Sequence, residues 1–138
     1  MKQLPERGPD DVHPIDIDRE QSKAAQMLSD AEKAVEADIS KATIVNRLYY
    51  ACFHAAQAAL YAHGHRPRSH GHVQTLLGRE LIQSGEVSGT FGRFLNDMET
   101  YRRRVDYGSG GVERDTDELL KETRKFVDQM NRSIENTD

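Results

Sequence analysis

The stretch Val45-Asn46-Arg47-Leu48-Tyr49-Tyr50-Ala51-Cys52-Phe53-His54-Ala55-Ala56-Gln57-Ala58-Ala59-Leu60 decides the fold class. Val45, Leu48, Tyr49, Cys52, Ala56, Ala59 and Leu60 recur at helical spacing, which predicts one long helix with a wide apolar face. Its many alanines let neighbouring helices approach closely, so this helix belongs at the centre of a bundle. Ser40 is placed to cap its start and Gly64 to stop it. Asn46, Arg47, Gln57 and His54 interrupt the apolar run, so it does not read as a membrane span.

Outward from that helix the pattern stays helical. Ala24, Met27, Leu28, Ala31, Val35 and Ile39 form the stripe of a preceding helix starting near Asp18. A short helix carrying Val73, Leu76, Leu77, Leu81 and Ile82 follows the loop from His63 to Gly71 and ends at Ser84-Gly85. Ser88 or Thr90 opens a fourth helix, with Phe91, Phe94, Leu95, Met98, Tyr101 or Arg102, and Val105. Gly108-Ser109-Gly110-Gly111 breaks it and reads as a hinge. A last helix carries Leu119, Leu120, Thr123, Phe126, Val127, Met130 and Ile134. No segment shows strand alternation. The expected fold is all-α, an antiparallel bundle of four to five helices. Residues 1–17, with Pro5, Pro9 and Pro14, read as an irregular leader, and residues 18–138 as one domain.

The chain has 138 residues, 36% hydrophobic and 30% charged, enough for a packed core without disulfides or a structural metal. Cys52 is the single cysteine, which excludes an internal disulfide or a cysteine-based zinc site. The start lacks the pattern of a secretory signal, so a cytoplasmic location is the default. The net charge of −4 argues against general affinity for nucleic-acid phosphates, but two basic clusters stand out. One is Tyr101-Arg102-Arg103-Arg104; the other is His63-Gly64-His65-Arg66-Pro67-Arg68.

Two segments carry a family resemblance. Asn46-Arg47-Leu48-Tyr49-Tyr50-Ala51-Cys52-Phe53-His54, followed by Arg103-Arg104-Val105-Asp106-Tyr107-Gly108, resembles the motif pair of small prokaryotic HEPN proteins. Ser69-His70-Gly71-His72, opening a short apolar helix between them, agrees with it. The resemblance implies a helical homodimer, often paired with a minimal nucleotidyltransferase as toxin and antitoxin. It also implies a metal-independent ribonuclease in many members, marked by an Arg and a His with four to six residues between them. The aligned segment here has arginines and no histidine. Arg7 and His13, Arg47 and His54, and Arg66 and His72 fit that spacing, about the number chance supplies. Some partners of related proteins adenylylate a tyrosine in such a motif, and Tyr107 lies in a similar place.

The candidate site is therefore a polar cleft at the end of the fourth helix. Arg103 would hold a phosphate, Tyr107 would stack on a base, and Asp106 would orient an arginine or act as a base. Asn46, Arg47, Tyr50, His54 and Arg102 would bind beside them. The structural alternative has Asp106 paired with Arg102 or Arg103 along the helix, or with Arg47 across two helices. His63, His65, His70 and His72 lack a completing cysteine or carboxylate, so a solvated basic loop outweighs a metal site, with a phosphate-touching rim beside Arg66 and Arg68 next. No cofactor is expected. Three functions fit: a protein acting on RNA, a non-catalytic module binding a nucleotide or a nucleotidyltransferase, and a plain structural dimer.

Overall fold

The computed structural model describes residues 12–108 and 110–137. They form five α-helices: α1 Pro14–Glu36, α2 Lys41–Ala62, α3 His70–Leu76, α4 Gly89–Tyr107 and α5 Thr116–Glu135. A π-helical turn, Leu77–Ile82, continues α3. Among the described residues there is no strand, as the sequence pattern implies.

α1 begins at Pro14, earlier than the expected start near Asp18. Proline fits the first helical position because its missing N–H would have no partner there. Asp16 then reaches back to accept from the His13 backbone N–H at 3.2 Å. Of the expected leader, residues 12 and 13 precede the helix and residues 1–11 lie outside the described residues. At the other end α1 stops at Glu36, so Ile39 leaves the apolar stripe and is 47% exposed.

α2 is the central element. It packs against α1, α5, α4 and α3. Ser40 caps it, its Oγ accepting from Thr43 N–H at 3.2 Å. Val45, Leu48, Cys52, Ala56, Ala59 and Leu60 are fully buried, each large side chain contributing roughly 1.5–3 kcal/mol through apolar burial. The alanines on the same helix keep its neighbours close. Burial pushes the Cys52 thiol up to about 12, which leaves it unreactive at neutral pH. No helix among the described residues is long and apolar enough to cross a membrane.

Ser69 caps α3 through its Oγ, which accepts from His72 N–H at 3.1 Å. Ser88 does the same for α4, accepting from Thr90 N–H at 3.3 Å. The π turn was not foreseeable from the apolar spacing; its last bond runs from Gln83 N–H to Gly78 O at 3.0 Å. Gly92 lets α4 close onto it, since a Cβ at that position would lie 2.5 Å from Ile82 Cδ1. Gly108, at φ +66°, ends α4 in the left-handed conformation that favours glycine. The polar residues of α4's last two turns thereby come to lie against the first half of α2.

Candidate functional site

α2, the first turn of α3 and the C-terminal half of α4 meet around the ring of Tyr49. Tyr49 is 1% exposed, held in the core by its position on the apolar face of α2. Its hydroxyl is 2.9 Å from His70 Nδ1. On its ring face sits Arg102, whose Cζ is 5.0 Å from the centroid. The His70 ring stacks on Phe53 at 4.2 Å. An arginine of α4 and a histidine of α3 thus share one tyrosine of α2.

Glu99 ties α4 to this group. Its Oε1 accepts from Arg102 Nη2 and from Arg103 Nε, both at 2.9 Å. Burial alone would raise its pKa. The nearby Tyr49 hydroxyl and the hydrogen-bonded guanidinium groups of Arg102 and Arg103 outweigh burial and hold the carboxyl below its ordinary value. Among the described residues, Glu99 Oε2 and Arg102 Nε are the buried side-chain polar atoms without a hydrogen-bond partner. Such atoms are costly in a core that does no more than pack. Burial and the Glu99 carboxylate keep the Tyr49 phenol protonated far above its usual range. Burial, with the charges of Arg102 and His54, overcomes Glu99 and depresses His70, so its ring is neutral at pH 7.

Asp106 lies beside this group, joined to it through Arg102. It accepts from Asn46 Nδ2 at 3.3 and 3.4 Å and from Arg102 Nη1 at 3.5 Å. All three contacts are long, so donors from two helices converge on a loosely held carboxylate. Beside it, Ala42, Thr43, Asn46, Arg47 and Asp106 line a shallow pocket of about 280 Å³.

The sequence candidates are thereby sorted. Asn46, Arg102, Arg103 and Asp106 come together as one polar network. Arg103 does not pair with Asp106: its Nε is drawn to Glu99, one turn back, and its side chain is 67% exposed. Arg47 does not reach Asp106 either, because Asn46 takes that place and Arg47 Nη1 donates to Asn46 Oδ1 at 3.0 Å. Tyr50 packs edge-on against Tyr49 at 5.0 Å and against His70 at 6.0 Å. His54 turns away toward α1, where its Nδ1 is 2.6 Å from Glu20 Oε2. Tyr107, the last residue of α4, is 75% exposed and touches none of these groups.

The four loop histidines disperse to separate partners. His63 Nε2 bonds the Ser133 hydroxyl at 2.9 Å, and His65 lies 3.7 Å from Glu80. His70 bonds Tyr49, and His72 Nδ1 accepts from Arg68 N–H at 3.0 Å. Three participants escaped the sequence reading: Tyr49, counted as core; His70, counted as loop; and Glu99. The signal for Glu99 was present, since it stands three and four residues before Arg102 and Arg103 and adjoins the buried Met98.

Glu20 and Glu99 make the fold acid-sensitive. Burial raises the Glu20 pKa, but the hydrogen bond and charge of His54, with Lys23, bring it below the ordinary 4.5. A depressed carboxylate stabilises the fold above its unfolded pKa, and that contribution is lost as pH falls through the folded value. His70 acts in the same sense from a higher pH: depressed below 6.5, it lets the unfolded chain bind a proton first. The Tm is therefore expected to fall as pH drops from 6.5 and to fall further below 4.5. A Tm that stays constant from neutrality into the carboxylate range contradicts the burial of these groups.

A family model for the HEPN domain matches residues 20–133. A UPF0332 protein of Thermotoga maritima is 30% identical over 115 residues, covering 82% of this chain and 86% of its own length. A protein of Methanocaldococcus jannaschii bearing the name "putative toxin" is 26% identical over 121 residues, covering 87% and 85%. A UPF0332 protein of Gloeobacter violaceus is 31% identical over 86 residues, covering 60% and 68%. With the five-helix architecture and the match across nearly all of it, the chain belongs to the HEPN domain family.

Proposed function

We propose that this HEPN protein is a toxin-like ribonuclease that needs no metal and cleaves RNA at the polar cluster of Tyr49, His70, Glu99 and Arg102, beside the Asn46–Asp106 pocket. The observation that carries this reading is the placing of Arg102 and His70 on the same tyrosine. Metal-free RNA cleavage needs a base for the 2′-hydroxyl and a cation for the phosphate. The α4 motif has the cation and lacks the base; His70 from α3 supplies it.

The chemistry runs as follows. Tyr49 is a fixed phenol beside the Glu99 carboxylate, which attracts its proton. The Tyr49 oxygen is then free to accept from His70 Nδ1–H, which leaves Nε2 with its lone pair. Nε2 takes the proton of a 2′-hydroxyl, and that oxygen attacks the adjacent phosphorus. Arg102 and the Asn46 amide, now turned toward Asp106, meet the charge that builds on the phosphate oxygens. The 5′-oxygen leaves and takes a proton from solvent. Tyr50 and the exposed Arg103 and Tyr107 would hold the flanking nucleotides.

The name of the Methanocaldococcus relative supports a toxin role. The biological setting we infer is a cytoplasmic toxin–antitoxin or defence system, with the protein as a homodimer and a minimal nucleotidyltransferase as antitoxin.

A second reading has its own observation. Arg102 and Arg103 are balanced by Glu99 and Asp106, so the resting site is charge-neutral. That suits a non-catalytic module binding a nucleotide or the nucleotidyltransferase itself. An RNA-cleavage assay in chelator separates the two. Cleavage by the wild type that disappears in His70→Gln establishes the ribonuclease; a wild type that binds RNA without cutting it establishes the module.

A further inference from the structure

The HEPN cleft does not account for a second basic feature. Arg66, Arg68, Arg79, His65, His72 and Leu76 line a pocket of about 360 Å³ between the His63–Ser69 loop and the α3–π segment. Its size lies within the range of small-ligand sites, about 300–1,000 Å³. Among the described residues its lining includes no carboxylate, the nearest being Asp16 and Glu80 behind Arg66 and Arg79.

Arg66 and Arg79 are held in place by neighbours. Arg66 Nη1 lies 3.7 Å from Asp16, a buried carboxylate of α1, and its guanidinium sits 5.4 Å over the Tyr61 ring. Arg79 Nε is 2.9 Å from Glu80, which also faces His65 at 3.7 Å. His72 Nδ1 accepts from the Arg68 backbone N–H, so its neutral ring carries the proton on Nε2 as a donor. Partly exposed guanidinium groups, those of Arg66 and Arg79 fixed by carboxylates outside the lining, suit a phosphodiester together with the imidazole donor, since its oxygens accept several charged hydrogen bonds.

The pocket adjoins the cleft through α3. His70 bonds Tyr49 of the proposed catalytic cluster and His72, two residues on, lines the pocket. We propose that this pocket is a second phosphate subsite, taking the backbone of the same RNA strand that lies in the Arg102–His70 cleft. It rests on the proposed RNA reading and extends it: the substrate is a single strand long enough to pass around the first turn of α3, and short RNAs lose this contact.

The test uses uncleavable 2′-O-methyl RNA and fluorescence anisotropy. Arg68→Ala/Arg79→Ala is compared with wild type on a dinucleotide and on a strand of about a dozen nucleotides. The double variant is expected to bind the longer strand roughly ten- to hundredfold more weakly. The slope of log K against log salt should shrink by about 1.4, the share of two phosphate contacts on a single strand. Dinucleotide affinity should not change. A double variant that binds the longer strand like the wild type, with the same slope, overturns the second subsite and leaves the cleft standing. One that loses the dinucleotide as well overturns the division into two subsites. A wild type that binds neither RNA overturns the RNA reading itself, and the subsite with it.

Discussion

Arg102→Ala is expected to abolish RNA cleavage and to cost about 2 kcal/mol of stability, while Arg103→Ala keeps the stability within about 1 kcal/mol. The two arginines are adjacent in sequence and both touch Glu99 Oε1 at 2.9 Å. What separates them is solvent. The Arg102 side chain is 12% exposed and that of Arg103 is 67% exposed. Removing Arg102 strips the buried Glu99 of its sheltered partner, uncovers the Tyr49 ring and leaves Asp106 with Asn46 alone. Losing one side of a buried pair costs far more than the pair gained in forming. The exposed pair contributes little, because water and salt already screen it. Urea denaturation and a cleavage assay on both variants check this. Arg102→Lys adds a control: it keeps the charge but has no planar fork to hold Glu99 and a phosphate together, so cleavage should stay low. Full activity in Arg102→Ala, with loss in Arg103→Ala, would move the site to the exposed end of α4.

How much of this could be read from the chain follows from what kind of information each feature needs. The bundle and its central helix are written in local periodicity: α2 buries Val45, Leu48, Tyr49, Cys52, Ala56, Ala59 and Leu60 as their spacing requires. Caps at Ser40, Ser69 and Ser88 are equally local, and so is the Gly108 stop. α1's true start depended on the proline at position 14 being read as a first helical residue and not as a breaker. Site composition is another matter. Asn46, Arg102, Arg103 and Asp106 were visible as polar residues on apolar helices, but their pairing depends on the relative rotation of α2 and α4. A difference of one residue separates Asn46, which reaches Asp106, from Arg47, which does not. His70 was hidden for a different reason. A histidine in a basic loop carries no periodicity, and only the Ser69 cap and the short α3 bring its ring against Phe53 and Tyr49.

Tyr49 and His70 give the most discriminating test of the chemistry. His70→Gln should slow cleavage by roughly a thousandfold, within the range general acid–base catalysis spans. Its half-buried position predicts little change in helicity. Tyr49→Phe keeps the ring that packs against Arg102 and removes the oxygen alone. It should slow cleavage by about a hundredfold, because Nδ1 loses the acceptor that fixes the tautomer and ring orientation. A merely structural Tyr49 would show its loss in the Tm and leave the rate per folded molecule unchanged, so both are measured. The pH–rate profile adds a sign. With its pKa below 6.5, His70 is an unprotonated base at neutrality, and the rate should fall on acidification below that value. Arg102→Ala removes a positive charge that depresses His70, so NMR titration of the His70 ring in that variant should move upward. A pH–rate profile flat across that acid range in the wild type, or unchanged cleavage in His70→Gln, would take the base away from α3 and leave the HEPN cleft as a binding surface.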